Sequence, residues 1–247
     1  MQGLSTLCWV AAVLDVQHLV PQVLQLAAAT GCLWGDNLRG DEMRQLHQVH
    51  LWLLDSELPV PGQGLSGVLS QQQLQQCQAS WEELLVFNAQ QQVTDLQQSV
   101  FAAVQQLPAG TWQKQPQLEQ PTPDGAFSID ITATTAAGVE LAIEVDGPSH
   151  FIQPGNTLEG GTQFRNRALA ARGYVVVSIP YREWSALRGA AQKQQYLLAK
   201  LQPALQAAPS QPLQQQQQHA TGGQAVATGQ PPPAARKRRV RRKPPTL

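Results

Sequence analysis

Residues 140–151, "ELAIEVDGPSHF", place Glu144 and Asp146 at the end of an apolar run, with His150 just beyond a Gly-Pro turn. If "VELAIEVDG" is a strand, Leu141, Ile143 and Val145 face one side, and Glu140, Ala142, Glu144 and Asp146 face the other. The stretch "FSIDI" alternates in the same way and separates Ile129 and Ile131 from Asp130. A three-residue loop at Ala136-Ala137-Gly138, with Gly138 left-handed, pairs 135 with 139, and counting outward pairs 130 with 144. Asp130 then sits beside Glu144 on one face, with Asp146 one pleat on. Opposed like charges destabilise a strand pair and push one carboxyl pKa upward, so such a cluster needs a cation.

Two cations could serve. Oxygen-only ligands at this spacing suit Mg2+ or Mn2+, and an ion held by Asp130, Glu144 and Asp146 could activate water, with His150 as general base or phosphate contact. The structural alternative is an ion pair with Arg165 or Arg167 of the following helix. Arg165, Arg167 and Arg172, at i, i+2 and i+7, cannot share one helix face; those not paired with the acids could present guanidiniums to RNA phosphates. Tyr174, Tyr181 and Trp184 could stack on unpaired bases, although aromatics beside a buried strand, Trp184 above all, read as core. His47 and His50 lie at i, i+3 with no Cys or acid to complete a zinc set, and read as packing or surface residues.

The elements that position these groups follow from periodicity. Residues 1–107 read as helices that could form the last units of a helical repeat array. "VPQVLQLAAATG" has Pro21 in a first turn and Gly31 at a stop; "SQQQLQQCQASWEELLVF" aligns Leu74, Cys77, Trp81, Leu84 and Leu85; "TDLQQSVFAAVQQLP" opens with Thr94 and Gln97 as a capping box. Residues 108–126, rich in Pro and Gln, read as a linker. Residues 127–202 read as strand, strand, helix, strand, helix, with Thr162 as N-cap and Gly173 as stop of the first helix. In the closing helix "QKQQYLLAKLQ", Leu197 and Leu201 pack inward. Residues 203–247, with "QQQQQ" and no periodic apolar pattern, predict a disordered tail.

The zero net charge conceals a division. Seven of the 17 Lys and Arg are Arg236, Lys237, Arg238, Arg239, Arg241, Arg242 and Lys243, while all 17 acids precede them. Residues 1–110 hold two bases against nine acids, a net −7. The acidic helices suit protein partners, as in an interaction adaptor, and the basic tail suits nucleic acid or an import receptor. Cys8, Cys32 and Cys77 show no CxxC and read as reduced core thiols. Asp15, His18 and Pro21 break the apolar runs, so no membrane span is predicted. The first residues lack the basic pattern of a signal or transit peptide, which fits a cytosolic chain or the C-terminal piece of a longer precursor.

Taken together, "FSIDI", "AIEVDGPSHF", "GTQFRNRALAARGY", "VVVSIPYREW" and "QQYLLAKL" resemble a RAP domain over residues 127–201. "QLHQVHLWLLDSE" and "LQQCQASWEE" resemble the helices that precede it in octotricopeptide-type proteins of green algae. The resemblance implies an organellar RNA-binding protein acting in processing, stability or translation of mitochondrial or chloroplast transcripts, with single-stranded RNA as partner. It also implies an α/β restriction-endonuclease-like fold, in which Asp130 and Glu144 take the first two acids of the PD-(D/E)XK motif and Asp146 the place of the lysine. An aspartate cannot supply that lysine's positive charge to an attacking water, which favours RNA binding over metal-dependent cleavage. On this reading the RNA-contacting set is Arg165, Arg167, Arg172, Tyr181 and the basic tail.

Overall fold

The computed structural model describes residues 2–34, 38–56, 63–90 and 93–206. Five helices come first: α1 (Gln2–Val13), α2 (Val20–Cys32), α3 (Gly40–Asp55), α4 (Gln71–Ala89) and α5 (Asp95–Gln105). Strands β1 (Trp112–Pro121), β2 (Ser128–Thr135) and β3 (Glu140–Asp146) follow, then α6 (Gly160–Ala171), β4 (Val175–Pro180), α7 (Tyr181–Ala186) and α8 (Gly189–Gln206). Among these residues no helix is long and apolar enough to cross a membrane.

Local chemistry sets most boundaries. Pro21 sits in the first turn of α2, where its missing N–H costs nothing. Thr94 and Gln97 form the capping box that opens α5: the Thr94 hydroxyl accepts from Gln97 N, and Thr94 N donates to Gln97 Oε1. Helix α6 begins earlier than Thr162 suggests; its N-cap is Glu159, and Thr162 lies inside the first turn. It ends as expected at Gly173, whose φ of 88° lets its own N–H reach Ala170 O while Tyr174 N reaches Leu169 O. Helix α8 runs through Pro203 to Gln206, past the expected end of order at residue 202, because Leu197, Leu201 and Ala204 remain buried. Residues 207–247, with the expected disorder and all seven tail cations, lie outside the described residues.

The four strands form one sheet in the order β1-β2-β3-β4. β2 and β3 pair antiparallel with Ile131 opposite Ile143, so the same register sets Asp130 beside Glu144. The turn that fixes it has Gly138 at φ 83° donating to Thr135 O, and Thr135 N donates to Val139 O. β3 and β4 run parallel through the α6 crossover, with Glu144 opposite Ser178 and Asp146 opposite Pro180.

The segment expected as a linker instead contributes β1, the edge strand, paired antiparallel with β2 through two register shifts. An edge position explains how "WQKQPQLEQP" can be a strand. Pro116, which has no N–H to donate, falls within the irregularity between Lys114 and Gln117, where the ladder is already interrupted.

Both faces of the sheet are covered. Ile131, Leu141, Ile143 and Val145 pack with α5, α7 and α8 through Val100, Val104, Trp184, Leu197 and Leu201. Phe127, Ile129 and Ala142 belong to a second cluster with α1–α4 and α6. The helices of residues 1–107 therefore share cores with the sheet. Trp81 on α4 lies 6.1 Å from Phe127, ring to ring, and donates Nε1–H to Ala126 O at 2.7 Å. Cys8 and Cys77 are buried free thiols, whereas Cys32 is exposed.

Because Trp81 ties α4 to the start of β2, truncating it should disturb helices and sheet together. Trp81→Ala is expected to lower stability by about 3–5 kcal/mol. Urea unfolding should remain one transition, with far-ultraviolet circular dichroism and core fluorescence coinciding.

Candidate functional site

The covered face of β2 and β3 carries the carboxylates. Glu144 and Asp146 are 2% and 1% exposed, and Asp130 is buried as well. Helix α6 lays Arg165 across them. Arg165 Nη2 lies 2.5 Å from Glu144 Oε2 and 3.6 Å from Asp130 Oδ1, and donates to Ser128 O at 2.7 Å. Asp130 Oδ2 accepts from Val145 N at 2.7 Å. The cation among the acids is thus the chain's own guanidinium.

A fourth acid joins from β1. Glu119, at φ 47°, accepts from Gln97 Nε2 through Oε1 and from Ser128 Oγ through Oε2. Burial raises its pKa, and Asp130 adds to the effect. Glu119 is hidden in the sequence because it lies in a stretch with the composition of a linker; a strand assignment for "QLEQP" is the signal that would reveal it. Beside this cluster a groove of about 600 Å3 is lined by Trp81, Phe127, Phe164, Glu119, Asp130 and Arg165.

Burial is the largest influence on Glu144 and pushes its carboxyl from 4.5 up to about 8; Arg165 opposes the rise, while Asp130 and Asp146 add to it. Burial lowers the Arg165 pKa, but Glu144, Asp130 and Glu119 outweigh it and raise the net value. Glu144 Oε1 and Arg165 Nε make no hydrogen bond to a described residue.

Asp146 is held differently. Its Oδ1 lies 2.9 Å from His150 Nδ1, and Ser178 Oγ donates to its Oδ2. These contacts decide the fit of Mg2+ or Mn2+, which needs oxygens free to converge on one point. Asp146 is engaged by His150 and Ser178, one Asp130 oxygen by a backbone N–H, and one Glu144 oxygen by Arg165. Among the described residues no group of three or more His, Cys, Asp or Glu side chains is placed to hold a metal. The expected set of Asp130, Glu144 and Asp146 does not fit the ion in this arrangement.

The arginines of α6 correct a second expectation. None faces outward as a free phosphate contact. Arg167 donates to Ala12 O and Val13 O at the end of α1. Arg172 bonds Asp124 and Asp55 at 2.6 and 2.8 Å, and its guanidinium lies 4.9 Å from the Phe127 ring centroid. Spacing of i, i+2 and i+7 sends each to a different neighbour, because each face of α6 meets a different element.

Trp184 is core, 3% exposed, with Nε1–H donated to Ser99 Oγ. Tyr174 packs at the margin of the helical cluster, and Tyr181 is half-buried with its ring 6.0 Å from Phe151. His47 is buried, 6.0 Å from Trp81, and burial first, then His50, depresses its pKa to about 4. His50 accepts from Leu65 N. Arg236 through Lys243 lie outside the described residues.

An α/β unit whose buried acidic strands are neutralised by an arginine of the crossover helix is the class of domain that fold and site define. Residues 143–200 match the family model described as RAP domain, so the chain carries a RAP domain at β3 through α8. It is also 43% identical over 73 residues to a chloroplastic RAP domain-containing protein of Oryza sativa subsp. japonica. That match spans 29% of this chain and 11% of the rice protein.

The acidic cluster yields a signed prediction. A carboxyl whose folded pKa exceeds its unfolded value stabilises fully below the unfolded value and loses that contribution as pH rises through the folded one. For Glu144 the window runs from 4.5 to about 8. Stability of the protein should therefore fall across that window, and Glu144→Gln should flatten the fall in chemical denaturation at stepped pH. Arg165→Leu, which strands the acids, should cost about 3–5 kcal/mol at neutral pH.

Proposed function

We propose that this is an organellar RNA-binding protein acting on chloroplast transcripts, in their processing, stability or translation. The RAP match and the printed location of the rice relative support the organelle and the partner. The observation that carries a binding rather than a cutting role is Arg165 Nη2 at 2.5 Å from Glu144. A guanidinium engages the Glu144 oxygen on which a catalytic cation would draw.

The frame itself is proposed as restriction-endonuclease-like. An antiparallel β2–β3 pair bearing Asp130 and Glu144, followed by α6 and the parallel β4, supports that reading. The bound RNA is proposed to be single-stranded, since unpaired bases offer the faces and edges that a protein can recognise. The basic tail supplies sequence-independent phosphate contact, and the helical region, net −7 over residues 1–110, serves protein partners.

Filter binding of single-stranded RNA in EDTA should show retention that weakens steeply with salt. Deleting residues 236–243 should flatten the plot of log affinity against log salt by about 0.7 for each phosphate that the tail no longer neutralises. Crosslinking in cells followed by sequencing should recover chloroplast RNA. Magnesium-dependent cleavage that disappears in Glu144→Gln would overturn the binding-only reading.

A further inference from the structure

At the carboxyl end of the parallel β3–β4 pair stands an arrangement separate from the Arg165 cluster. Asp146, the last residue of β3, pairs with Pro180, the last residue of β4. In open α/β sheets ligands bind outside the carboxyl ends of parallel strands. There, the Asp146 carboxylate faces His150 Nδ1 at 2.9 Å and receives the Ser178 hydroxyl on its other oxygen. A carboxylate opposite Nδ1 holds a ring proton on that nitrogen, and in the imidazole form this leaves Nε2 as an acceptor. The His150 side chain is 32% exposed, and Nε2 makes no hydrogen bond to a described residue. One ring nitrogen is thus anchored by Asp146 in a side chain that is about one-third exposed.

The surroundings admit an anionic strand. Residues 147–158 contain no Asp or Glu, and Ile152 through Thr157 are exposed; Glu159, also exposed, closes the loop and donates its N–H to His150 O. Arg182 stands beside this loop, donating to Gly155 O and Gln153 Oε1, with its guanidinium 5.4 Å from the Tyr181 ring centroid. The nearby Glu183 is neutralised by Lys200 at 2.9 Å. By contrast, residues 1–110 hold nine acids and two bases.

We propose that His150 Nε2 accepts the hydrogen bond of a ribose 2′-hydroxyl, so that this strand end is where the domain distinguishes RNA from DNA. The inference rests on the RNA-binding reading above and adds the group recognised. Asp146 and Ser178 act as positioning residues: they hold the tautomer and the ring, and do not touch the nucleic acid. A 2′-hydroxyl is a donor that DNA lacks, which makes an oriented acceptor a sufficient discriminator.

The test uses the full chain with short single-stranded RNA, DNA and 2′-O-methyl RNA of one sequence. Wild-type protein should bind RNA roughly five- to tenfold more tightly than the other two, the size of one net hydrogen bond. His150→Ala should bring RNA affinity down to that of DNA and leave DNA affinity unchanged. Equal wild-type affinity for RNA and 2′-O-methyl RNA overturns the proposal without any variant having to fold. A parallel loss of RNA and DNA binding in folded His150→Ala also overturns it, since that marks a phosphate contact or a scaffold role. Failure of the wild-type protein to retain any RNA at low salt removes the RNA-binding reading itself, and this inference with it.

Discussion

Burying carboxylates on a sheet face demands a cation, and in this fold the demand is met by Arg165. Much of the tertiary arrangement follows from that one requirement. To bring Arg165 over β2 and β3, helix α6 must lie across the sheet, which buries Phe164, Ala168 and Leu169 in the helical cluster. Two further arginines then meet neighbours that α6 itself brings close. Arg167 takes the carbonyls at the end of α1, where the helix dipole favours a positive charge. Arg172 joins Asp55 of α3 to Asp124 of the β1–β2 turn. One helix thus pins sheet, helical region and turn through three guanidiniums.

The pair is not an efficient source of stability. Desolvating two charges offsets most of their attraction, and a well-packed apolar pair of similar volume often does as well or better. What the arrangement does supply is specificity of packing. A register slip of one residue would turn Glu144 away from Arg165 and leave both groups buried without compensation. Burial raises the Glu144 carboxyl, Asp130 and Asp146 add to the rise, and Arg165 opposes it. The oxygen that Arg165 does not reach, Oε1, makes no hydrogen bond to a described residue.

The site's frame was legible in the sequence because its determinants are local. Alternation, a Gly138 turn and a fixed pairing count place Asp130 beside Glu144, and the structure has that register. The capping box of Thr94 and Gln97 is legible for the same reason, since three residues' separation contains both partners. Strand β1 was not legible. Its Gln and Pro content has the composition of a linker, and an edge strand escapes the β-branched pattern that a central strand requires. The destinations of Arg167 and Arg172 were equally hidden, because the former reaches residues 154 and 155 positions away and the latter 117. Spacing showed that the arginines diverge, but only the fold shows to what.

These three arginines all turn inward. With Arg165, Arg167 and Arg172 bonded inside, the described part of the domain offers no α6 guanidinium to a phosphate. The first 110 residues are acidic and repel one. At the carboxyl end of β3 and β4, His150 is partly exposed beside the loop that leads to α6. Asp146 leaves the other acids of the sheet to Arg165 and holds His150 and Ser178 instead.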